Sequence, residues 1–94
     1  LEQAVKLDPQ FGQAWYNLGL AFSGLGNPDR ALEALSRAES LNPTAPAIPY
    51  ARATILARVG RIPEARTAAG RALELQPGYP DALNLLRALQ QPEP

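Results

Sequence analysis

The 94 residues predict an all-α chain of stacked antiparallel helix pairs, and three observations predict it. The first is a period. Pro9, Pro43 and Pro77 stand 34 residues apart, and the same step carries Ala4 to Ala38 to Ala72, Leu7 to Leu41 to Leu75, Gly26 to Gly60 and Ala31 to Ala65. Several registers sharing one spacing mark an array of repeated units. The second is an apolar stripe at three- and four-residue steps in each half of the unit, the signature of an amphipathic helix. The third is a composition dominated by Ala and Leu and poor in aromatic and β-branched residues. Such side chains lose little conformational freedom on entering a helix.

Taken in order, Leu1, Ala4 and Val5, with Leu7 just beyond, read as helix without an N-cap or an initiator Met. The chain is therefore expected to be cut from a longer protein, with residues 1–9 the second helix of a truncated unit. Residues 10–44 form a complete unit. Ala14, Trp15, Leu18, Ala21, Phe22 and Leu25 make the stripe of its first helix, which Gly24 and Gly26 bring to an end. Asn27 then caps a second helix that carries Pro28 at its first position, where a missing N–H costs nothing. Ala31, Leu32, Leu35, Ala38 and Leu41 continue that helix until Asn42 and Pro43 stop it. Residues 45–78 repeat the plan, turning at Gly60 and stopping at Gln76 and Pro77. Residues 79–94 hold a last helix, from about Pro80 through Leu83, Leu86 and Leu89, and a tail that Pro92 keeps from being helical.

The composition removes whole classes of function. Nine basic residues balance nine acidic ones, so no net field steers the chain toward nucleic acid or an acidic membrane surface. No apolar run is long enough to span a bilayer. Without Cys there is no disulfide framework or thiolate metal site, and without His the commonest general base and metal ligand are missing. Ser23, Ser36 and Ser40 have no plausible activating base at short spacing. No carboxylate cluster suggests Ca²⁺ or Mg²⁺, and no glycine-rich strand-to-helix turn suggests a nucleotide. No enzyme, cofactor or metal is expected within these residues. Composition selects no compartment, with the cytoplasm the default, and its preference for Arg over Lys points to a bacterial, GC-rich source.

Trp15, Leu18-Gly19, Phe22, Ala31, Leu35, Ala38 and Pro43 carry a resemblance. They match the aromatic, Leu-Gly, aromatic, Ala, bulky, Ala and Pro pattern of the tetratricopeptide repeat, a helix-turn-helix unit of 34 residues. The resemblance covers essentially the whole chain and implies a TPR α-solenoid, its helix pairs stacked in a right-handed superhelix. The second repeat departs from the pattern: Pro49 stands in the place of Trp15, Arg52 in that of Leu18 and Ala69 in that of Leu35. Pro49 predicts a late start to the first helix of this repeat, with Ile48 and Tyr50 covering the gap and the whole repeat the looser of the two. Small residues at Gly19, Ala38, Ala53 and Ala72 are expected to let helices approach, while Trp15, Phe22, Leu35 and Leu56 fill the space between.

The resemblance further implies a concave groove lined by the first helices, A, of successive repeats. Residues there outside the core stripe include Gln13, Tyr16, Asn17, Leu20, Tyr50, Thr54, Arg58, Asn84 and Leu85, the candidate peptide-binding set. Tyr16 and Tyr50 stand one period apart, and aromatics on such surfaces often dominate binding. Some members of the family clamp a partner's terminal carboxylate with Lys, Asn and Arg. The corresponding places here hold Tyr16 and Leu20, then Ala51, then Asn84 and Ala88, which leaves no cation for that task. Arg52, Arg58, Arg61, Arg66 and Arg71 read as a solvated face balanced by Glu64 and Glu74 rather than as a patch for an acidic partner. The implied function is a scaffold that binds a peptide or helix of a protein partner, with neither nucleic acid nor membrane as target. The alternative is a spacer or self-association segment whose exposed repeat ends form homo-oligomers.

Overall fold

The computed structural model describes residues 9–90, which form five α-helices and, among the described residues, no strand. These are α1 (Pro9–Gly24), α2 (Pro28–Leu41), α3 (Ala47–Arg58), α4 (Ile62–Leu75) and α5 (Pro80–Gln90). Consecutive helices pack as antiparallel neighbours, and α3 also touches both α1 and α5. The A helices α1, α3 and α5 thus make one layer, and α2 and α4 the other. The body is elongated, 53 × 30 × 17 Å, as a short stack of two-helix units should be. The truncated helix expected at residues 1–9 lies outside the described residues except for Pro9. That residue opens α1 instead, since proline is suited to a first helical turn.

The inter-helix turns repeat with the sequence. After α1, Gly26 adopts φ +79°, its N–H bonds the Ser23 carbonyl at 3.0 Å and the Asn27 N–H bonds the Phe22 carbonyl at 2.9 Å. One period later Gly60 has φ +87°, with Gly60 N–H to the Ala57 carbonyl at 3.1 Å and Arg61 N–H to the Leu56 carbonyl at 2.9 Å. This paired closure satisfies helix-end carbonyls and requires a residue at ease in the left-handed region. The Asn27 side chain accepts from the Arg30 N–H at 3.2 Å and caps α2. Arg61, in the equivalent place, cannot cap. Its guanidinium instead grips both oxygens of Glu64, at 2.8 and 2.6 Å. That contact raises the pKa of Arg61 and lowers that of Glu64.

The first helix of the second repeat starts late, as Pro49 predicts. Helix α3 begins at Ala47, four residues later in its repeat than α1 but ahead of Pro49. Pro49 is its third residue, and the Tyr50 N–H makes the bond to the Pro46 carbonyl at 3.3 Å. The donor that Pro49 lacks is one of those a first turn leaves unpaired anyway, so the ring sits there at little cost. Pro49 is itself fully buried, and Ile48 is 3 % exposed, so these two fill the place of the absent Trp. Helix α3 buries six side chains, more than any other described helix, because it is packed between neighbours on both sides.

The core consists of two linked clusters. One joins Ala31 and Leu35 of α2 to Ala51 and Ile55 of α3, with Tyr16 and Phe22 packed against it. The other joins Ala53 and Leu56 of α3 to Ala65, Ala68 and Ala69 of α4, with Leu85, Leu86 and Leu89 of α5 closing it. Leu32 touches both. Leucines of α5 therefore fill the volume that Ala69 leaves by replacing a leucine. Gly19 permits the closest helix approach: a Cβ there would lie 2.8 Å from Leu35 Cγ and 3.2 Å from the Ala31 carbonyl oxygen. Trp15 and Phe22, expected in the core, are only partly buried, and the guanidinium groups of Arg37 and Arg30 cover their rings at 5.1 and 5.9 Å.

Candidate functional site

The exposed face of the A-helix layer is the candidate site, because its side chains, Arg58 apart, are uncharged and come from three parallel helices. On α1, Gln13 donates to the Asn17 side-chain oxygen at 3.3 Å, Tyr16 is partly buried and Leu20 is 43 % exposed. On α3, the Thr54 hydroxyl donates to the Ala51 carbonyl at 2.7 Å, so its polar end is already satisfied and its methyl remains to contact a ligand. Arg58 reaches from the end of α3 to the Ser23 hydroxyl of α1 at 3.4 Å and ties the two A helices together. Asn84 on α5 is exposed, whereas Leu85 is half-buried against the second core cluster and serves packing more than the surface.

Sequence reasoning missed Tyr79. It lies in the turn before α5, and its ring meets that of Tyr50 at 5.5 Å between centroids with a 53° tilt, a favourable aromatic geometry. Its pKa is raised above the ordinary tyrosine value, chiefly by burial and then by Asp81, Tyr16 and Tyr50. Tyr50 and Tyr79 thus form a ring pair, and Tyr16 stands one period before Tyr50 on the A helix α1. A signal for Tyr79 was present, since it stands one period after Ala45, whose loop adjoins Tyr16. At that earlier position the small Ala45 leaves a cleft of about 50 Å³ lined by Gly12, Gln13, Tyr16, Asn42, Ala45, Ala47 and Ile48.

Two further grooves, each lined by residues of both layers, are also related by the period. One, of about 340 Å³, is lined by Trp15, Leu18, Phe22, Arg30, Glu33, Ala34 and Arg37. The other, of about 390 Å³, is lined by Glu39, Arg52, Leu56, Glu64, Thr67, Ala68 and Arg71. Arg52, Leu56, Glu64, Thr67, Ala68 and Arg71 follow Leu18, Phe22, Arg30, Glu33, Ala34 and Arg37 by 34 residues. The departure at Arg52 is compensated across the repeat junction, where its guanidinium bonds Glu39 at 2.9 Å. One period on, Leu73 and Leu86 occupy the equivalent places, so both members of the pair change character together. The other arginines of the second repeat are engaged as well: Arg71 pairs with Glu74 at 3.3 Å and Arg66 donates to the Leu89 carbonyl at 3.0 Å near the end of α5.

Two tetratricopeptide-repeat models match the chain, over residues 12–45 and 50–89. The chain belongs to the tetratricopeptide-repeat family. Solved structures of the same architecture include the second TPR of Spaghetti (RPAP3) bound to the HSP90 peptide SRMEEVD. It is 20% identical, with a TM-score of 0.85 over 92% of this chain and 80% of that one. Another is the type III secretion chaperone SycD of Yersinia enterocolitica in complex with a peptide of the translocator YopD, 22% identical, with a TM-score of 0.78 over 94% and 72% of the two chains. At these identities the likeness concerns the fold. No curated protein matches the chain by sequence.

Among the described residues no cluster of three or more metal-ligating side chains occurs, and no helix is long and apolar enough to cross a membrane. The hydroxyls of Thr54 and Thr67 donate to backbone carbonyls, and that of Ser23 accepts from Arg58.

Proposed function

We propose that this TPR array is a non-catalytic scaffold whose A-helix face, the concave side of a right-handed superhelix, receives an apolar or weakly polar segment of another protein. The observation that carries the reading is the Tyr50–Tyr79 ring pair, and Tyr16, one period before Tyr50, supports it together with Leu20, Thr54 and the amides of Gln13, Asn17 and Asn84 on the same A helices. Rings of this kind bury much area for few rotatable bonds, and side-chain amides can bond a peptide backbone. Peptides bound to the similar SycD and Spaghetti structures support a peptide as the ligand class. A carboxylate clamp is not part of the reading, because Tyr16, Leu20, Ala51, Asn84 and Ala88 hold its places and offer no cation.

Capture from a cell lysate tests this. The Tyr16→Ala/Leu20→Ala variant, with helicity and mass unchanged, is expected to lose at least tenfold in affinity for the protein the parent retains, the loss of two contact residues at about 1 kcal/mol or more each. Amidating the captured segment's C-terminus should change nothing. Equal retention by both forms would end the groove reading.

A second reading is favoured by the groove at Trp15, Leu18 and Phe22, where Leu18 is 41 % exposed. A further repeat or a second copy stacked there would make the segment a self-association element. Its mark is a mass that rises with concentration and is indifferent to the groove variant.

A further inference from the structure

We propose that the cleft beside Tyr16 is an anchor site for one aromatic side chain of the partner, held as Tyr79 is held beside Tyr50. The inference deepens the groove reading and rests on it for the origin of that side chain. It is argued from the molecule's own repetition. Tyr50 follows Tyr16 by one period, Tyr79 follows Ala45, and Ala82 follows Ile48. At the second junction the loop residue is Tyr79, and its ring packs on Tyr50 at 5.5 Å. At the first junction the loop residue is Ala45, and the space that a ring would enter is the cleft of about 50 Å³. The second junction thus displays, within the same chain, the group that fits this register.

The walls suit an aromatic ring better than an aliphatic or charged side chain. The Tyr16 ring gives one side, and Ile48, 3 % exposed, is part of the apolar lining. Tilted and offset ring pairs gain from quadrupole complementarity beyond the area they bury, which an aliphatic side chain cannot match. Asn42 and Gln13 contribute amide groups that can bond a phenol hydroxyl. No charged residue lines the cleft, so a partner's Lys, Arg, Asp or Glu would be desolvated without compensation. The opening is small. It admits a ring edge, much as Tyr79 stays partly exposed while it packs on Tyr50.

The test uses N-acetyl-tyrosine amide and N-acetyl-leucine amide as probes, read by amide NMR shifts. The tyrosine probe should give saturable shifts at Tyr16, Ala45 and Ile48 and bind about fivefold more tightly than the leucine probe, the ratio an aromatic pair supplies. Ala45→Tyr, which supplies the ring from within, should abolish these shifts. Tyr79→Ala should open a second cleft, with new shifts at Tyr50. Equal response to the two probes, or tyrosine-probe shifts undiminished in folded Ala45→Tyr, would overturn the anchor. Should Ala45→Tyr not fold, an absence of new shifts at Tyr50 in Tyr79→Ala would overturn it instead. The two readings fail separately. A partner that needs Tyr16 and Leu20 but binds Ala45→Tyr fully contradicts the anchor alone. A probe held at Tyr16 with no partner that depends on the groove contradicts the groove reading alone.

Discussion

Leu35→Ala should cost about 3 kcal/mol of stability, toward the middle of the range for emptying a leucine site in a core. Leu35 is fully buried and, with Ile55, is one of the two bulky members of a cluster that also holds Ala31 and Ala51. The backbone of Gly19 lies against it so closely that even a methyl group there would touch its Cγ. Alanine and glycine have no side-chain freedom with which to move into the space, so most of the cavity would persist. The damage should also spread along the chain. Leu35 lies on α2 and meets α3, so it contributes both to its own repeat and to the interface with the next. In a solenoid, stability is close to a sum of such terms between neighbours. Urea unfolding followed by circular dichroism should show the loss in the transition midpoint. A cost below about 1 kcal/mol would mean that the first core cluster is not packed as described.

Gly19→Leu makes the complementary error and should be destabilising by about 2–3 kcal/mol. Replacing glycine within a helix ordinarily gains up to about 1 kcal/mol, because glycine has the most backbone freedom to lose. At Gly19 that gain is opposed by contacts of 2.8 and 2.9 Å to Leu35 and 3.2 Å to the Ala31 carbonyl oxygen, and the carbonyl can move only with its helix. Overpacking wins. Gly70 is the internal control, since it is also helical and a Cβ there meets nothing within 4 Å. Gly70→Ala should therefore stabilise, by about 0.5–1 kcal/mol. Opposite signs at the two glycines, measured under identical conditions, are the expected result. The same sign at both would show that propensity rather than helix approach governs Gly19.

What could be read in the sequence was what recurs locally. The 34-residue step, the turns at Gly26 and Gly60, the Asn27 cap and the close approach at Gly19 each rest on a few adjacent residues or on the period itself. The late start of α3 was legible at Pro49, whose ring fits only within the first turn of a helix. The partner of Arg52 lies 13 residues back on another helix, so no helical spacing connects it to Glu39. Comparison with the next junction does connect them, because Glu39–Arg52 and Leu73–Leu86 change as pairs.

Of the candidate set, Leu20 and Asn84 are exposed and Tyr16 and Tyr50 partly buried, on α1, α3 and α5. Two assignments were less well drawn. Leu85 sits over the alanine-rich second cluster, where α5 has volume to fill, so much of its side chain is used in packing. Tyr79 escaped notice because it belongs to a turn, and helical periodicity says nothing about residues between helices. The period itself would have found it, by setting Tyr79 against Ala45.

The measurement that tests the central claim most directly places a photo-crosslinking residue, p-benzoylphenylalanine, at Leu20 on the A-helix face and separately at Ser36 on α2. Both positions are exposed, and they belong to opposite layers of the same repeat. The groove account predicts that the captured partner crosslinks from position 20 through one continuous segment and not from position 36. Crosslinking from position 36 with none from position 20 would contradict it and move the binding surface to the other layer.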